Sequence, residues 1–163
     1  MKRLAIAFTG PSNSGKTTLI EKISLELSPK YKVAIIKHDP KDKAIFDVEG
    51  KDSDRFFKSG ADVAVVSNVR TTIFKHSTST ISKIADSFGE FDFLLVEGLK
   101  YLPLPRIAIF RGKLEPDYFP YIQAVAIDDT IDKSELKDTN LDILDLNNIH
   151  EIIDYIKKHA KRI

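Results

Sequence analysis

FTGPSNSGKTT, residues 8–18, decides the fold. Within it, GPSNSGKT (10–17) satisfies G-x-x-x-x-G-K-T at every fixed position. It joins an apolar run, LAIAF (4–8), to a segment from about Gly15 to Leu27 in which Leu19, Ile23 and Leu27 recur every four residues. Strand, glycine-rich turn and amphipathic helix in that order make a phosphate-binding loop. The turn can point several backbone N–H groups into one cavity, and the helix start adds unpaired donors and the positive end of its dipole. Gly10 and Gly15 let the backbone approach an anion closely. Asn13 and Ser14 supply donors at the turn, Lys16 reaches the β and γ phosphates, and Thr17 offers its hydroxyl to magnesium.

Outward from the loop, apolar runs alternate with helical stretches. KVAIIKH (32–38), DVAVVSN (62–68), FDFLLVEG (91–98), PRIAIFR (105–111) and YIQAVAIDD (121–129) read as strands, and RTTIFKH (70–76) as a shorter one. DSDRFFKSG reads as a short helix ending at Gly60, and STSTISKIADSF as another with Ile81, Ile84 and Phe88 inward. The last helix lies in NNIHEIIDYIKKHAKR, capped by Asn147 or Asn148, with Ile149, Ile152, Ile153 and Ile156 inward. Strands apolar throughout and separated by helices predict a three-layer α/β P-loop NTPase fold with a mostly parallel sheet. Residues 1–163 are expected to form one nucleotide-binding domain, with no internal repeat.

Composition narrows the function. Cysteine is absent, which excludes disulfides, thiolate nucleophiles and Cys-bound zinc and agrees with a reducing cytoplasm. Lys and Arg number 25 against 24 Asp and Glu, so nothing supports a surface that coats nucleic acid. The start MKRLAIAF is superficially signal-like, but its short apolar run feeds the glycine turn and reads as a strand. No stretch approaches the roughly 18 apolar residues of a membrane span. A cytoplasmic protein is expected.

A magnesium–nucleotide site also needs carboxylates. Glu97 ends the run LLVE and Asp39 ends KVAIIKHD, both at the C-terminal ends of strands, where open α/β sheets bind ligands. Asp52 is a further candidate in the loop DPKDKAIFDVEGKD (39–52), which is long enough to suggest function. Lys37 is placed to neutralise phosphate charge, and His38 to touch substrate or water or to serve structurally. His76, His150 and His159 lack metal-ligand spacing. There is no evident general base. Arg55, Arg70, Arg106 and Arg111 are the candidate phosphate contacts, and without a defined arginine finger or water-orienting group turnover should be slow.

GPSNSGKTTL (10–19), IIKHD (35–39), GKDSDRFFKSGAD (50–62) and LLVEGLK (94–100) together resemble the MobB family of molybdopterin-guanine dinucleotide biosynthesis adaptor proteins. The resemblance spans nearly the whole chain. It implies GTP and Mg²⁺ as ligands, weak GTP hydrolysis, a homodimer, and association with molybdopterin guanylyltransferase and molybdopterin-carrying proteins. It places nucleotide binding on Gly10 and on Asn13, Ser14, Gly15, Lys16, Thr17 and Thr18, with Lys16, Asp39 and Glu97 in the catalytic roles. Metal binding falls on Thr17, Asp39, Asp52 and Glu97. It also implies additional strands at the subunit interface, expected in 101–127. The alternative is a P-loop small-molecule kinase. The chain has no Asn-Lys-x-Asp loop for reading guanine; Asn68 and the 127–130 region are the candidates near a base.

Overall fold

LAIAFT is apolar on both faces, as suits a strand buried between two layers. In the computed structural model, which describes residues 2–163, it becomes the centre of the main sheet. In chain order the elements are β1 (Leu4–Thr9), α1 (Lys16–Leu27), β2 (Val33–Lys37), α2 (Asp52–Lys58), β3 (Val63–Val66), β4 (Thr71–Phe74) and α3 (Ile81–Ser87). They continue as β5 (Phe93–Glu97), β6 (Arg106–Phe110), β7 (Ala124–Ile127), β8 (Asp142–Asp145), α4 (Ile149–His159) and the two-residue β9 (Lys161–Arg162). Short 3-10 turns occupy Pro116–Tyr121 and Lys133–Leu136.

The main sheet runs β2-β5-β1-β6-β7-β8 with every neighbouring pair parallel, and β9 adds antiparallel to the start of β1. This is the three-layer P-loop NTPase architecture. Alternation sorts the side chains to two faces. Ile6 and Phe8 of β1, Phe93 and Leu95 of β5, and Ile107 and Ile109 of β6 share one core with Leu19, Ile20, Ile23 and Leu27 of α1 and Ile152, Ile153 and Ile156 of α4. On the opposite face Ala108, Phe110, Val125 and Ile127 pack with Ile122, Ile131 and Leu136 from the connecting segments. Crossing from one parallel strand to the next brings the C-terminal ends of the parallel strands to one edge of the sheet, and the phosphate loop lies on that edge.

By its contacts the chain divides into two units, one of residues up to His38 together with Ala85–Ile163, the other Asp39–Ile84. The second holds α2 and a separate two-stranded antiparallel sheet of β3 and β4, in register from Val63↔Phe74 to Val66↔Thr71. The 62–68 strand therefore joins no parallel ladder. Only residues 67–70 separate it from β4, and so short a connection can reverse the chain but cannot make a parallel crossover. Ser67 N–H donates to the Arg70 carbonyl at 2.9 Å to close that turn.

Three other readings change. The strands of 101–127 are β6 and β7, interior members of the main sheet buried along their whole length; the strands outside it are β3 and β4. β8 lies in a stretch the hydrophobic pattern leaves unassigned. Phe88, expected inward, follows the end of α3 and is exposed, while Ala85 supplies that helix's buried position. Among the described residues no helix is long and apolar enough to cross a membrane.

Candidate functional site

Two helices begin at the C-terminal edge of the main sheet. α4 is closed by its own sequence: Asn148 Oδ1 accepts the Glu151 N–H at 3.2 Å, and Glu151 places an acid in the first turn. α1 has neither. Its preceding residue, Gly15, makes no side-chain cap, and no acid stands in its first turn. The donors at its start are thereby left for an anion supplied from outside the chain.

The loop is shaped for that purpose. Gly10 has φ +135°, and a Cβ there would run into the Ile109 carbonyl oxygen, so only glycine fits between β1 and β6. Asn13 and Gly15 also adopt positive φ, 63° and 95°. The Ser14 hydroxyl is buried, and its Oγ has no hydrogen-bond partner among the described residues. Such an orphan costs stability unless a ligand satisfies it. Lys16 Nζ folds back to donate to the carbonyls of Gly10 at 3.0 Å and Pro11 at 2.5 Å. Thr17 and Thr18 are exposed at the start of α1.

Register brings the charged groups together. Glu97 pairs with Phe8 across β5 and β1, and with Lys37 across β5 and β2. The Lys37 ammonium lies 3.3 Å from both Glu97 oxygens, the carboxylate mostly buried and the ammonium mostly exposed. Burial pushes the Lys16 ammonium below its ordinary pKa; Glu97 opposes that shift and Lys37 adds to it. Lys16, Lys37 and Glu97 thus form one electrostatic cluster beside the loop. His38 N–H donates to the Glu97 carbonyl at 3.0 Å, and Gly98 N–H to that of Phe8 at 2.9 Å, fixing the strand ends.

The arginines separate into different roles. Arg106, one of the four candidate phosphate contacts in the sequence, is fully buried. Its guanidinium donates to the carbonyls of Gly98 at 2.7 Å, Leu99 at 2.8 Å and Leu102 at 3.3 Å, clamping the turn after Glu97. Burial lowers its pKa, and among the described residues no carboxylate pairs with it. Arg111 does lie beside the loop: a Cβ on Gly15 would meet its Nε at 3.4 Å. Arg111 Nη1 bonds Asp128 Oδ2 at 3.0 Å, and Asp128 also accepts from the hydroxyl and N–H of Thr130. The Thr130 hydroxyl, with burial opposing and Arg111 assisting, holds the Asp128 carboxyl below its usual range. The sequence marks Arg111 as a candidate phosphate contact and 127–130 as a candidate region near a base; the pairing of Arg111 with Asp128 is what it does not give.

Asp39, Asp52, Arg55, Asn68 and Arg70 belong to the second unit. The Asp39 carboxylate accepts N–H groups of Lys41 at 3.3 Å and of Lys43 and Ala44 at 2.7 Å, so it organises its own loop. Asp52 stands exposed in the first turn of α2, where a negative charge suits the helix dipole. Asn68 and Arg70 lie in the turn between β3 and β4. No group of three or more His, Cys, Asp or Glu able to hold a metal ion occurs among the described residues.

Comparison with known proteins agrees with this geometry. The family model for molybdopterin guanine dinucleotide synthesis protein B matches residues 5–128. A molybdopterin-guanine dinucleotide biosynthesis adapter protein of Haemophilus influenzae is 34% identical over 161 residues, covering 93% of this chain and 86% of the relative. One of Escherichia coli is 28% identical over 166 residues, covering 93% and 90%. The crystal structure of Bacillus subtilis MobB superposes with a TM-score of 0.76 at 23% identity, over 97% of this chain and 98% of that one, a likeness of fold. By the family match and the Haemophilus relative, the chain belongs to the molybdopterin guanine dinucleotide synthesis protein B family.

Proposed function

We propose that the protein binds GTP with Mg²⁺ and serves as a dimeric adaptor in making the molybdopterin-guanine dinucleotide form of the molybdenum cofactor. It would hydrolyse the nucleotide only weakly. The observation that carries the reading is the uncapped, acid-free start of α1, with the buried unpartnered Ser14 hydroxyl and with Lys16 beside Glu97. The adaptor role follows the names of the H. influenzae and E. coli relatives. The donor set suits magnesium, which takes hard oxygen ligands and is held by one or two protein groups together with phosphate oxygens and water. Thr17 and Glu97 would hold it, and bound there it would neutralise charge on the phosphates. Lys16 would release its two carbonyls to meet those oxygens. Among the described residues of the main unit none is set to take a proton from water, since Glu97 pairs with Lys37 and would serve the metal, so slow turnover is expected.

The dimer is supported by the second unit. Val66, Val69 and Ile73 of the β3–β4 hairpin are 72%, 91% and 61% exposed, and so small a hairpin gains most of its stability from what covers it. Sedimentation equilibrium should give twice the chain mass; a monomer at micromolar concentration contradicts the dimer. For function, labelled GTP and an affinity pull-down are the test. Saturable Mg²⁺-dependent binding, slow release of phosphate and capture of the molybdopterin guanylyltransferase or a molybdopterin-carrying protein support the reading. Transfer of label to an organic acceptor would instead indicate a kinase. The expected shares of Asp39 and Asp52 in the magnesium shell are tested by their Asn variants, which should weaken Mg²⁺-dependent binding alone.

A further inference from the structure

Sheet order gives the nucleotide a direction. β1 lies between β5 and β6. On the β5 side stand Glu97, in register with Phe8 of β1, and Lys37, in register with Glu97; with Glu97 holding magnesium as in the reading above, the terminal phosphates would lie there. The nucleoside would then leave the loop on the other side, over the ends of β6 and β7. Arg111 and Asp128 occupy those ends. They directly follow Phe110 and Ile127, the last register pair of the two strands.

The pair is built rather than casual. Only 6% of the Asp128 side chain is exposed, against 49% of Arg111. Thr130 holds the carboxylate from behind through its hydroxyl and N–H, and its Oγ1 in turn accepts the Gly112 N–H at 2.8 Å, tying together the turns after β6 and β7. Arg111 gives one N–H to Asp128, and its remaining donors have no partner among the described residues. Its guanidinium meanwhile rests against Gly15, the last loop residue before Lys16. A half-exposed planar fork, fixed by a nearly buried carboxylate and facing the path of the nucleoside, is suited to recognising two adjacent acceptors.

We propose that Arg111, oriented by Asp128, reads the O6/N7 edge of the base and selects guanine over adenine. Guanine presents two acceptors on that edge, which match two N–H groups of the fork. Adenine presents an amino donor beside one acceptor, which sets donor against donor. Arg111 is then the contact residue and Asp128 a positioning residue. This supplies the base selection that the missing Asn-Lys-x-Asp loop leaves without a source, and it rests on the nucleotide-binding reading above.

The test is a titration of GTP, ITP and ATP, each with Mg²⁺, against the wild-type protein and the Arg111→Ala, Arg111→Gln and Asp128→Asn variants. ITP keeps O6 and N7 but lacks the 2-amino group, so the wild type should bind ITP nearly as well as GTP and ATP more weakly. Arg111→Ala and Arg111→Gln should each cut the GTP-to-ATP preference roughly tenfold or more, and Asp128→Asn should cut it by less. Circular dichroism identifies any variant that has lost its fold, and the two Arg111 substitutions check each other. Equal weakening of all three nucleotides would make Arg111 a phosphate contact and overturn the proposal, as would a preference that survives both substitutions. A wild type that tells GTP from ITP but treats ITP like ATP would also overturn it, because the 2-amino group would then be the feature read. If the wild type binds no triphosphate at all, the parent reading fails and takes this one with it.

Discussion

The starts of α1 and α4 stand on the same edge of the same sheet, each after a parallel strand, and they are finished in opposite ways. α4 meets its own needs with the Asn148 cap and the Glu151 acid. α1 lacks cap and acid, is preceded by a left-handed glycine, and begins with a lysine. Every helix start carries N–H groups without intrahelical partners. Where the sequence satisfies them, the end is structural. Where it leaves them open and adds a cation, the end is built for an anion the chain does not supply.

The contrast can be broken by experiment. The largest effect should come from Lys16→Ala, which removes a charge-assisted contact to phosphate. Nucleotide affinity should fall roughly 10- to 100-fold by calorimetric titration, with little change in thermal stability. Thr18→Glu would give α1 the acid that α4 carries. It should lower affinity about tenfold while leaving stability unchanged or raising it by about 0.3–1 kcal/mol, the two readouts moving in opposite directions. Asn148→Ala should do the reverse, costing about 1 kcal/mol in urea unfolding with nucleotide affinity unaltered. An affinity loss in Asn148→Ala would erase the distinction between the two ends.

The smallest expected effect at ordinary pH is a difference in alkaline behaviour. Burial, aided by Asp142, pushes the Tyr155 hydroxyl of α4 up to about 12 from 10.0. Its contribution to stability is therefore complete below pH 10 and lost as pH rises toward 12. Lys16 has the opposite sign. Its pKa lies below the ordinary 10.5, so its burial opposes folding while it is charged, and stability rises as it deprotonates below pH 10.5. Tyr155→Phe should flatten the alkaline loss in a pH series of unfolding curves. An unchanged loss would contradict this account of α4.

Much of the main unit was legible because its residues leave little choice. FLLVE cannot avoid burial on both faces, and the Leu19–Ile23–Leu27 spacing fixes which side of α1 meets the sheet. β8 was not legible, because DILD sets only two apolar residues between two acids and is short enough to pass for a turn. The hairpin was seen as strands but not as a separate sheet, since pairing partners depend on the brevity of the 67–70 turn. Arg106 and Arg111 look alike in sequence. One is entombed under the 98–102 turn and the other is half-exposed over Gly15, a difference set by register within and between β6 and β7 rather than by either residue's neighbours. Glu97 was found at a strand end because strand polarity alone puts it on the ligand edge. The sequence marks 127–130 as a region near a base, but the pairing of Asp128 with Arg111 depends on which strand lies beside β7.

The most direct measurement of the central claim is calorimetric titration of GTP, with and without Mg²⁺, into the wild-type protein and Lys16→Ala. This account expects saturable binding to the wild type, strengthened by Mg²⁺ and largely lost in the variant. Absence of binding to the wild type, or binding that Lys16→Ala leaves intact, would contradict it.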